Sequence, residues 1–342
     1  SYETSSGNVA QQDFVYVEVE AGQGFYTWID YNDNGIQEFD EFEVAKFQDQ
    51  ANFLRVPLPN LQFIATQSAK INQSITLNAN QWSNKTGLKK VLSHFYNQFF
   101  LSSRNELERA RNSFNLNPFN MSKDQQISVN FTIKNSLYFN RGLQNFSATY
   151  TYAKAENKQQ YSIGSQDTDT NYQQIDFQHK VGKFWLIDLQ GKLSENKLET
   201  ENFNNRNYEI DVIAFQPKIS YVLNNDNRFA AFYHMKNKEN TLAEFEKLKQ
   251  QKIGIEYFYT GKSTSQFNAN FTTFFNDFSG NPNSPVGYQM LEGLQEGTNY
   301  TWTFLWNKKL NSFLNVNLNY KGRKSLNSKT IHTGTINLKA VF

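Results

Sequence analysis

One stretch of the chain has residue types and a spacing that suit a metal ion: residues 30–41, which read DYNDNGIQEFDE. A calcium loop of the EF-hand type takes oxygen ligands from positions one, three, five, seven, nine and twelve, and needs glycine at position six for its sharp turn. Gly35 occupies the sixth position. The ligand positions hold Asp30, Asn32, Asn34, Ile36 (through its carbonyl), Glu38 and Glu41. The stretch therefore predicts a calcium site.

The residues around this loop differ from those of a paired calcium sensor. Position eight usually carries an apolar side chain but holds Gln37, and residues 14–28 alternate like a β-hairpin, not like an entering helix. The loop is similar to the single loops of dockerin-like and other extracellular calcium modules, which implies a structural calcium ion. The alternative is an acidic turn without metal, because Asn and Gly favour turns for backbone reasons alone.

The composition favours strands with one apolar and one polar face. Hydrophobic residues make up only 38% of the 342 residues, yet aromatic residues reach 16%. Buried helices and parallel strands need long aliphatic runs, whereas one-by-one alternation of apolar and polar residues does not. The net charge of +2, without a dense basic patch, argues against a nucleic-acid partner. The absence of cysteine excludes disulfides and thiolate metal sites.

Alternation runs through most of the chain from about residue 61 to the end. It predicts about thirteen strands, many of ten or more residues, which is the length that a tilted membrane strand requires. No run of about 18 apolar residues indicates a transmembrane helix. The chain begins at Ser1 without an initiator methionine, so we expect a mature or partial product.

The connections between the predicted strands alternate between short and long. Long connections are expected at residues 109–123, 161–171, 198–207, 236–249 and 276–298. Transmembrane barrels of the bacterial outer membrane show this asymmetry, with short periplasmic turns and longer extracellular loops. A soluble β-sandwich is the alternative, but its strands are shorter and its turns have no consistent sidedness.

The sequence thus predicts an all-β protein with two parts. Residues 1–60 are expected to form a small N-terminal module with a hairpin and the calcium-type loop, either periplasmic or plugging the lumen. Residues 61–342 are expected to form a transmembrane antiparallel β-barrel of about 12–14 strands. Single-chain bacterial barrels usually have an even number of strands, so a count of thirteen indicates a missed or additional strand.

The end of the chain carries a family resemblance. Residues 334–342, GTINLKAVF, resemble the C-terminal signal strand of outer-membrane β-barrel proteins, and the Asn- and Lys-rich style is similar to that of large outer-membrane proteins of Bacteroidota. The resemblance implies the outer membrane of a Gram-negative bacterium, with a periplasmic C-terminus and extracellular long loops. It also implies that the barrel-assembly machinery recognises this strand. The residues that would form the signal are Ile336, Leu338, Ala340 and Phe342.

The inward phases of the predicted strands carry charges of both signs. They include Lys134, Asp176, Lys180, Asp188, Lys192, Lys252 and Glu256. These charges either pair and close the lumen or line a path for a solute. Two functions follow: a membrane anchor or subunit of a larger outer-membrane assembly or transport complex, with outer-membrane or periplasmic partners, or a narrow channel for a small solute. The four scattered histidines fit no catalytic motif, so we do not expect an enzyme.

Overall fold

The computed structural model describes residues 1–10, 13–59, 63–109, 117–119, 126–143, 145–261, 265–311, 313–326 and 328–340. Strands within these residues form one fourteen-stranded antiparallel sheet and one four-stranded sheet. The strands of the small sheet are β2 (Asp13–Glu18), β3 (Tyr26–Trp28), β4 (Phe42–Val44) and β5 (Phe53–Leu58). The described residues also form two short helices, α1 (Leu88–Leu92) and α2 (Pro285–Leu291).

The large sheet is a meander in which each strand from β6 onward pairs with the next one along the chain. Its strands are β1 (Tyr2–Ala10), β6 (Phe63–Asn78), β7 (Phe95–Glu108), β8 (Gln126–Phe139), β9 (Phe146–Tyr161), β10 (Gly164–Val181), β11 (Trp185–Thr200), β12 (Tyr208–Val222), β13 (Asn227–Asn240), β14 (Lys247–Thr260), β15 (Ser265–Ser279), β16 (Gly297–Lys309), β17 (Leu314–Ser325) and β18 (Ile331–Ala340). The number of strands agrees with the predicted 12–14, and the all-β barrel class is confirmed.

The strand register places apolar residues opposite one another across the sheet. Ile255 of β14 pairs with Ala231 on one side and Phe271 on the other, and Phe271 pairs with Trp302. Residues directly opposite one another in an antiparallel pair project to the same face of the sheet. Ile255 is 61% exposed. This apolar and solvent-accessible surface is called the outer face below.

The opposite side of the sheet, called the inner face, encloses space. Thr168 of β10 and Lys321 of β17 line the same cavity although seven strand positions separate them in the sheet. The sheet therefore curls around its polar face. The two edges of the sheet are β1 and β18, and no pairing joins them within the described residues.

Strand β1 shows that the expected boundary at residue 60 does not separate the two sheets. Tyr2 pairs with Ile71 and Ala10 pairs with Phe63, so residues 2–10 belong to the large sheet. The segment is mostly polar and lacks clear alternation, and only its backbone pairing with β6 identifies it as a strand. It supplies the strand that the count of thirteen lacked. Residues 13–58, which contain the four-stranded sheet, are called the module below.

The antiparallel meander gives the large sheet two ends. One end, called the turn end, holds the connection from Val181 to Trp185 and the last described residue, Ala340. The opposite end, called the loop end, holds the connection between β15 and β16 and the module, which leaves β1 at Ala10 and enters β6 at Phe63. The module and the described C-terminus therefore lie at opposite ends.

The long connection expected at residues 161–171 is wrong. Strand β9 ends at Tyr161 and β10 begins at Gly164, and most of the expected loop is part of β10. Its polar composition is typical of a loop, but the two strands place opposite charges within reach of each other. Lys158 lies 3.7 Å from Asp167, and Lys154 lies 3.4 Å from Asp169.

The hairpin expected within residues 14–28 is also wrong. Strand β2 pairs with β5, and β3 pairs with β4 and β5, so the small sheet has the order β2, β5, β3, β4. Its hairpin is formed by β3 and β4 instead. The calcium-type loop at residues 30–41 is the connection between them.

Helix α2 packs onto the inner face and forms the main buried core of the large sheet. Ser284 caps it by accepting a hydrogen bond from the Gly287 amide at 3.0 Å, and proline follows at the first helical position. The buried cluster contains Ile210, Leu248, Phe278, Val286, Met290 and Leu291. Within the described residues, neither helix is long and apolar enough to cross a membrane.

Candidate functional site

The calcium-type loop is held by its own side chains. Gly35 has a backbone φ of 71°, which glycine adopts without strain. The Asp30 carboxylate accepts hydrogen bonds from the Asn34 amide at 3.1 Å and the Gly35 amide at 2.7 Å. The Asn34 side-chain oxygen accepts from the Ile36 amide at 2.6 Å. The side-chain oxygens of Asp30 and Asn34, at positions one and five of the loop, therefore turn towards the interior of the loop.

The acidic residues in the second half of the loop have other partners. Glu41 is only 2% exposed and accepts hydrogen bonds from the Trp28 indole at 2.8 Å and the Tyr31 amide at 3.1 Å. Glu38 accepts a hydrogen bond from the Asn32 side-chain nitrogen at 2.7 Å. In the part of the chain that the structure describes, no three His, Cys, Asp or Glu side chains gather closely enough to hold a metal ion. The arrangement shown stabilises the turn, and calcium binding stays a prediction.

An ion pair and a hydrogen bond join the module to the connection between β11 and β12. The Arg206 guanidinium lies 3.2 Å from the Glu43 carboxylate, and the Asn205 side chain donates to Asp40 at 2.7 Å. Burial raises the pKa of the Glu43 carboxyl, although the charge of Arg206 acts in the opposite direction. The pair thus places a charged contact in a largely buried position.

A second set of contacts joins the module to α2. The Lys46 ammonium donates to the Gln289 side chain at 2.7 Å, and the Lys46 amide donates to the Tyr288 hydroxyl at 3.1 Å. On the inner face nearby, Arg323 of β17 pairs with Asp49 and lies 4.2 Å from the centre of the Phe47 ring. The module is therefore fixed to the wall as well as to the loop that carries α2.

Aromatic rings make the third contact of the module. The Arg55 guanidinium lies 5.0 Å from the centre of the Phe14 ring and 5.3 Å from that of Tyr161, where β9 ends. The Phe14 and Tyr161 rings also meet edge to face, with their centres 5.4 Å apart. Contacts with connections after β9, β11 and β15 thus hold the module across the loop end.

The predicted inward charges occupy several environments. Glu256 pairs with Lys218, and Lys252 lies 3.7 Å from Glu292, which the sequence interpretation did not include. Glutamine side chains bind both aspartates: Gln190 donates to Asp176 at 2.8 Å, and Gln178 donates to Asp188 at 2.8 Å. Lys192 lies 4.5 Å from the centre of the Tyr172 ring, Lys134 is exposed, and Lys180 has a partner.

Glu292 is the centre of the densest charge cluster. Its carboxylate lies 2.8 Å from the Lys236 ammonium, 2.9 Å from that of Lys238 and 3.7 Å from that of Lys252. Burial alone would raise the pKa of Glu292, but Lys238, Lys236 and Lys252 outweigh it and hold the pKa well below its usual range. Strand phase gives Lys236 and Lys238 the same face as Lys252, whereas Glu292 comes from a distant loop. A proline after Ser284 and Gly293 beyond the helix are the sequence signals that indicate α2.

A cavity of about 760 Å³ lies between α2, the module and the inner face. Five lysines line it: Lys46, Lys197, Lys238, Lys252 and Lys321. Glu292 is the one carboxylate among its described lining residues. The cavity therefore has a strongly positive lining.

Aromatic rings cluster on the outer face at the turn end. The Trp185 and Tyr221 rings lie 4.9 Å apart, measured between centres, and Phe229 and Tyr257 lie 4.6 Å apart. Tyr257 continues the series to Phe267 at 5.8 Å. Such a band beside an apolar surface is typical of a membrane–water boundary, where an apolar ring contacts lipid and a polar atom contacts headgroups.

The four histidines lie apart from one another. His94 contacts the Asn140 side chain at 2.6 Å, His179 contacts the Asn145 carbonyl at 2.7 Å, and His332 contacts the Tyr320 hydroxyl at 2.7 Å. His234 lies on β13. The expectation of a non-enzymatic barrel stays a prediction.

The C-terminal strand has the predicted apolar stripe. Ile336 is 67% exposed and Leu338 is 69% exposed, both on β18, which ends at Ala340. Phe342 lies outside the described residues. Recognition of this strand by an assembly machinery stays a prediction.

Comparison with known proteins gives similarities at the level of solved structures. No protein-family model matches the chain, and no curated protein sequence does. CdiB from Acinetobacter baumannii is similar at 10% identity with a TM-score of 0.43, covering 98% of this chain and 60% of CdiB. Outer-membrane expressed OmpT of Vibrio cholerae is similar at 6% identity with a TM-score of 0.35, covering 94% and 86%.

A third similar structure is the anion-selective porin from Comamonas acidovorans. It shares 7% identity with a TM-score of 0.32, and the match covers 95% of this chain and 89% of the porin. At these identities and scores, the fold assigned to this chain rests on its own strand pairing.

Proposed function

We propose that this chain is an integral outer-membrane β-barrel that acts as a membrane anchor or as a subunit of a larger assembly or transport complex. The observation that carries the proposal is the outer face, where exposed apolar residues such as Ile255 and Leu338 continue from strand to strand beside an aromatic band. Exposure of so large an apolar surface to water would favour aggregation, whereas contact with lipid stabilises it.

The module supports the assembly role. Three connections and β17 hold it across the loop end, while residues 32–39 of its calcium-type loop are exposed, with Ile36 62% exposed. If the turn end is periplasmic, as the family resemblance implies for the C-terminus, the module lies on the cell surface or in the outer mouth of the barrel. This placement replaces the periplasmic position expected from the sequence, because the module connects two strands at the loop end.

Membrane fractionation tests the location, and isolation from native membranes tests the assembly. We expect the chain in the outer-membrane fraction, with a folded form that migrates differently on gels after heating. We also expect outer-membrane or periplasmic proteins to co-purify and to be identified by mass spectrometry. Recovery only as a soluble, partner-free protein would overturn the proposal.

The absence of cysteine makes the orientation directly measurable. Gln37→Cys places a thiol on the exposed loop of the module, and Lys183→Cys places one at the turn end. We expect an impermeant maleimide to label the first variant on intact cells and the second only after lysis. The reverse pattern would place the module in the periplasm.

A narrow channel for a small solute is the second candidate, and the positively lined cavity on the inner face favours it. We expect discrete conductance in planar bilayers, altered by Lys134→Gln or by Glu256→Gln, which leaves Lys218 without its partner. Purified, folded protein that never conducts would remove the channel and leave the assembly role.

We also propose that calcium binds the loop at residues 30–41 as a structural ion. Asp30, Asn32, Asn34, the Ile36 carbonyl, Glu38 and Glu41 would supply the oxygens. The inward turn of the Asp30 and Asn34 oxygens supports this set. Because the loop joins β3 to β4, the ion would fix this hairpin.

A further inference from the structure

The positively lined cavity contains more ammonium groups than the nearby carboxylates neutralise. Glu292 is shared by Lys236, Lys238 and Lys252, so this cluster alone has two excess positive charges. Lys197 is paired separately with Glu199 at 3.0 Å. Lys197 therefore does not add to the excess positive charge of the Glu292 cluster.

Two further lysines add to this excess. Within the described residues, no carboxylate lies within ion-pair distance of Lys46 or Lys321, although the Lys46 ammonium donates to Gln289. These lysines approach the cavity from the module and from β17, whereas Lys238 and Lys252 approach it from β13 and β14. The positive charge is thus distributed around the space and not confined to one wall.

Several of these ammonium groups are poorly hydrated. The side chain of Lys238 is 9% exposed, that of Lys252 is 16% exposed, and that of Lys236 is 18% exposed. Charges removed from water are costly unless partners of opposite sign approach them, and interactions between charges strengthen as water is excluded. The cavity is therefore a place where a dissolved anion gains more than it does at an exposed surface.

We propose that this cavity is a binding site for a small anion with at least two negative charges, of the oxyanion or polycarboxylate class. Its volume of about 760 Å³ lies within the usual range of roughly 300–1,000 Å³ for small-molecule sites. Lys252 and Lys321 supply charge from the wall, and Lys46 supplies it from the module. Thr301 and Thr303, which also line the cavity, add hydroxyl groups as neutral donors.

This site does not depend on conduction. An anion held between α2, the module and the wall would also stabilise a closed barrel, because Lys46 of the module and Lys321 of β17 would contact one ligand. Binding and conductance are therefore separate measurements, and failure of one leaves the other interpretable.

Isothermal titration calorimetry of the full chain in detergent tests the proposal, with sodium phosphate and sodium citrate as separate probes and sodium chloride as the monovalent control. We expect saturable heat from phosphate, citrate or both, and none from chloride at equal ionic strength. The probe that binds more tightly distinguishes an oxyanion site from a polycarboxylate site. Absence of saturable heat from both would overturn the proposal.

Variants with opposite expected signs strengthen the test. Lys252→Gln should weaken binding roughly tenfold, since a charge-assisted contact is lost. Glu292→Gln should tighten binding, because it removes the competing carboxylate. Lys134→Gln is the matched control, since Lys134 lies on the inner face but does not line the cavity, and it should change affinity less than about twofold.

The folded state of each variant is checked by its heat-dependent gel migration. If Lys252→Gln does not fold, Lys321→Gln takes its place, because Lys321 has no ion-pair partner among the described residues. Equal weakening by the cavity variant and by Lys134→Gln would show nonspecific screening and would overturn the site. Weaker binding by folded Glu292→Gln would also overturn the proposal, because removal of the competing carboxylate should favour a bound anion.

Discussion

The Arg206 guanidinium lies 3.2 Å from the Glu43 carboxylate and so connects the β11–β12 loop to strand β4 of the module. The Glu43 side chain is 10% exposed and that of Arg206 is 18% exposed. A charge left without a partner in such a place is costly, whereas an exposed ion pair contributes little. This pair is therefore the contact whose loss should release the module most readily.

Arg206→Ala should loosen the module without unfolding the barrel. Removing one partner of a buried pair costs about 3–5 kcal/mol, and partial exposure reduces this figure. We expect hydrogen exchange of the amides at residues 42–44 to become at least roughly tenfold faster. Lys247→Ala is the control, because it breaks the exposed pair between Lys247 and Glu239. Similar exchange in both variants would show that Arg206 does not hold the module.

The packing of α2 on the inner face should be sensitive to acid, because Glu292 pairs with lysines of that face. Lysine ammonium groups hold its pKa in the folded protein below the unfolded value of 4.5. The ion pairs therefore contribute stability above about pH 4.5, and this contribution is lost as pH falls further. Thermal unfolding of the wild type and Glu292→Gln should differ by a constant amount from pH 8 to 5.5, and the difference should shrink below pH 4.5. A difference that grows in acid would contradict this reading.

The alternating strands were predictable because a period of two residues is a local property. Ile253 and Ile255 of β14 and Phe271 of β15 share the apolar stripe that their sequence spacing indicates, and the register places them on one face. The same phase assigned Lys252 and Glu256 to the inner face, where each has an ion-pair partner.

Features that depend on distant partners were not predictable in this way. Strand β1 has no clear alternation and is defined by its backbone pairing with β6, while β2 pairs with β5 across more than thirty residues of chain. The acid at the centre of the lysine cluster comes from the loop after α2. Periodicity shows which face a residue occupies, but not which loop will fold back onto that face.

Calcium binding is tested by calorimetry of the full chain. Asp30→Asn and Glu41→Gln should abolish calcium heat, because each removes a carboxylate from a ligand position. Asp33→Asn is the matched control. It removes the same charge at position four, which is not a ligand position, and asparagine tolerates the positive φ of 55° found there. No calcium heat in the wild type at millimolar metal would leave only the metal-free turn.

The edges β1 and β18 should be adjacent in the membrane, although no pairing joins them in the described residues. An unpaired strand edge leaves backbone amides and carbonyls without partners in lipid, and each such group costs several kcal/mol. The cysteine-free chain allows a direct test with Ser5→Cys in β1, combined in turn with cysteine at Thr333, Thr335 or Asn337 of β18. The strand registers give Ser5 and these three β18 positions the inner face.

We expect at least one of these pairs to form a disulfide in outer membranes under mild oxidation. Ser5→Cys combined with cysteine at Asn317 of β17 is the control, because β18 would lie between β17 and β1 and keep these two strands too far apart for a disulfide. If all three β18 pairs fail while the chain remains in the outer membrane, another segment or a partner strand must lie between β1 and β18. Closure of the barrel would then depend on that segment or partner strand, because β1 and β18 are the two edges of the fourteen-stranded sheet in the described residues.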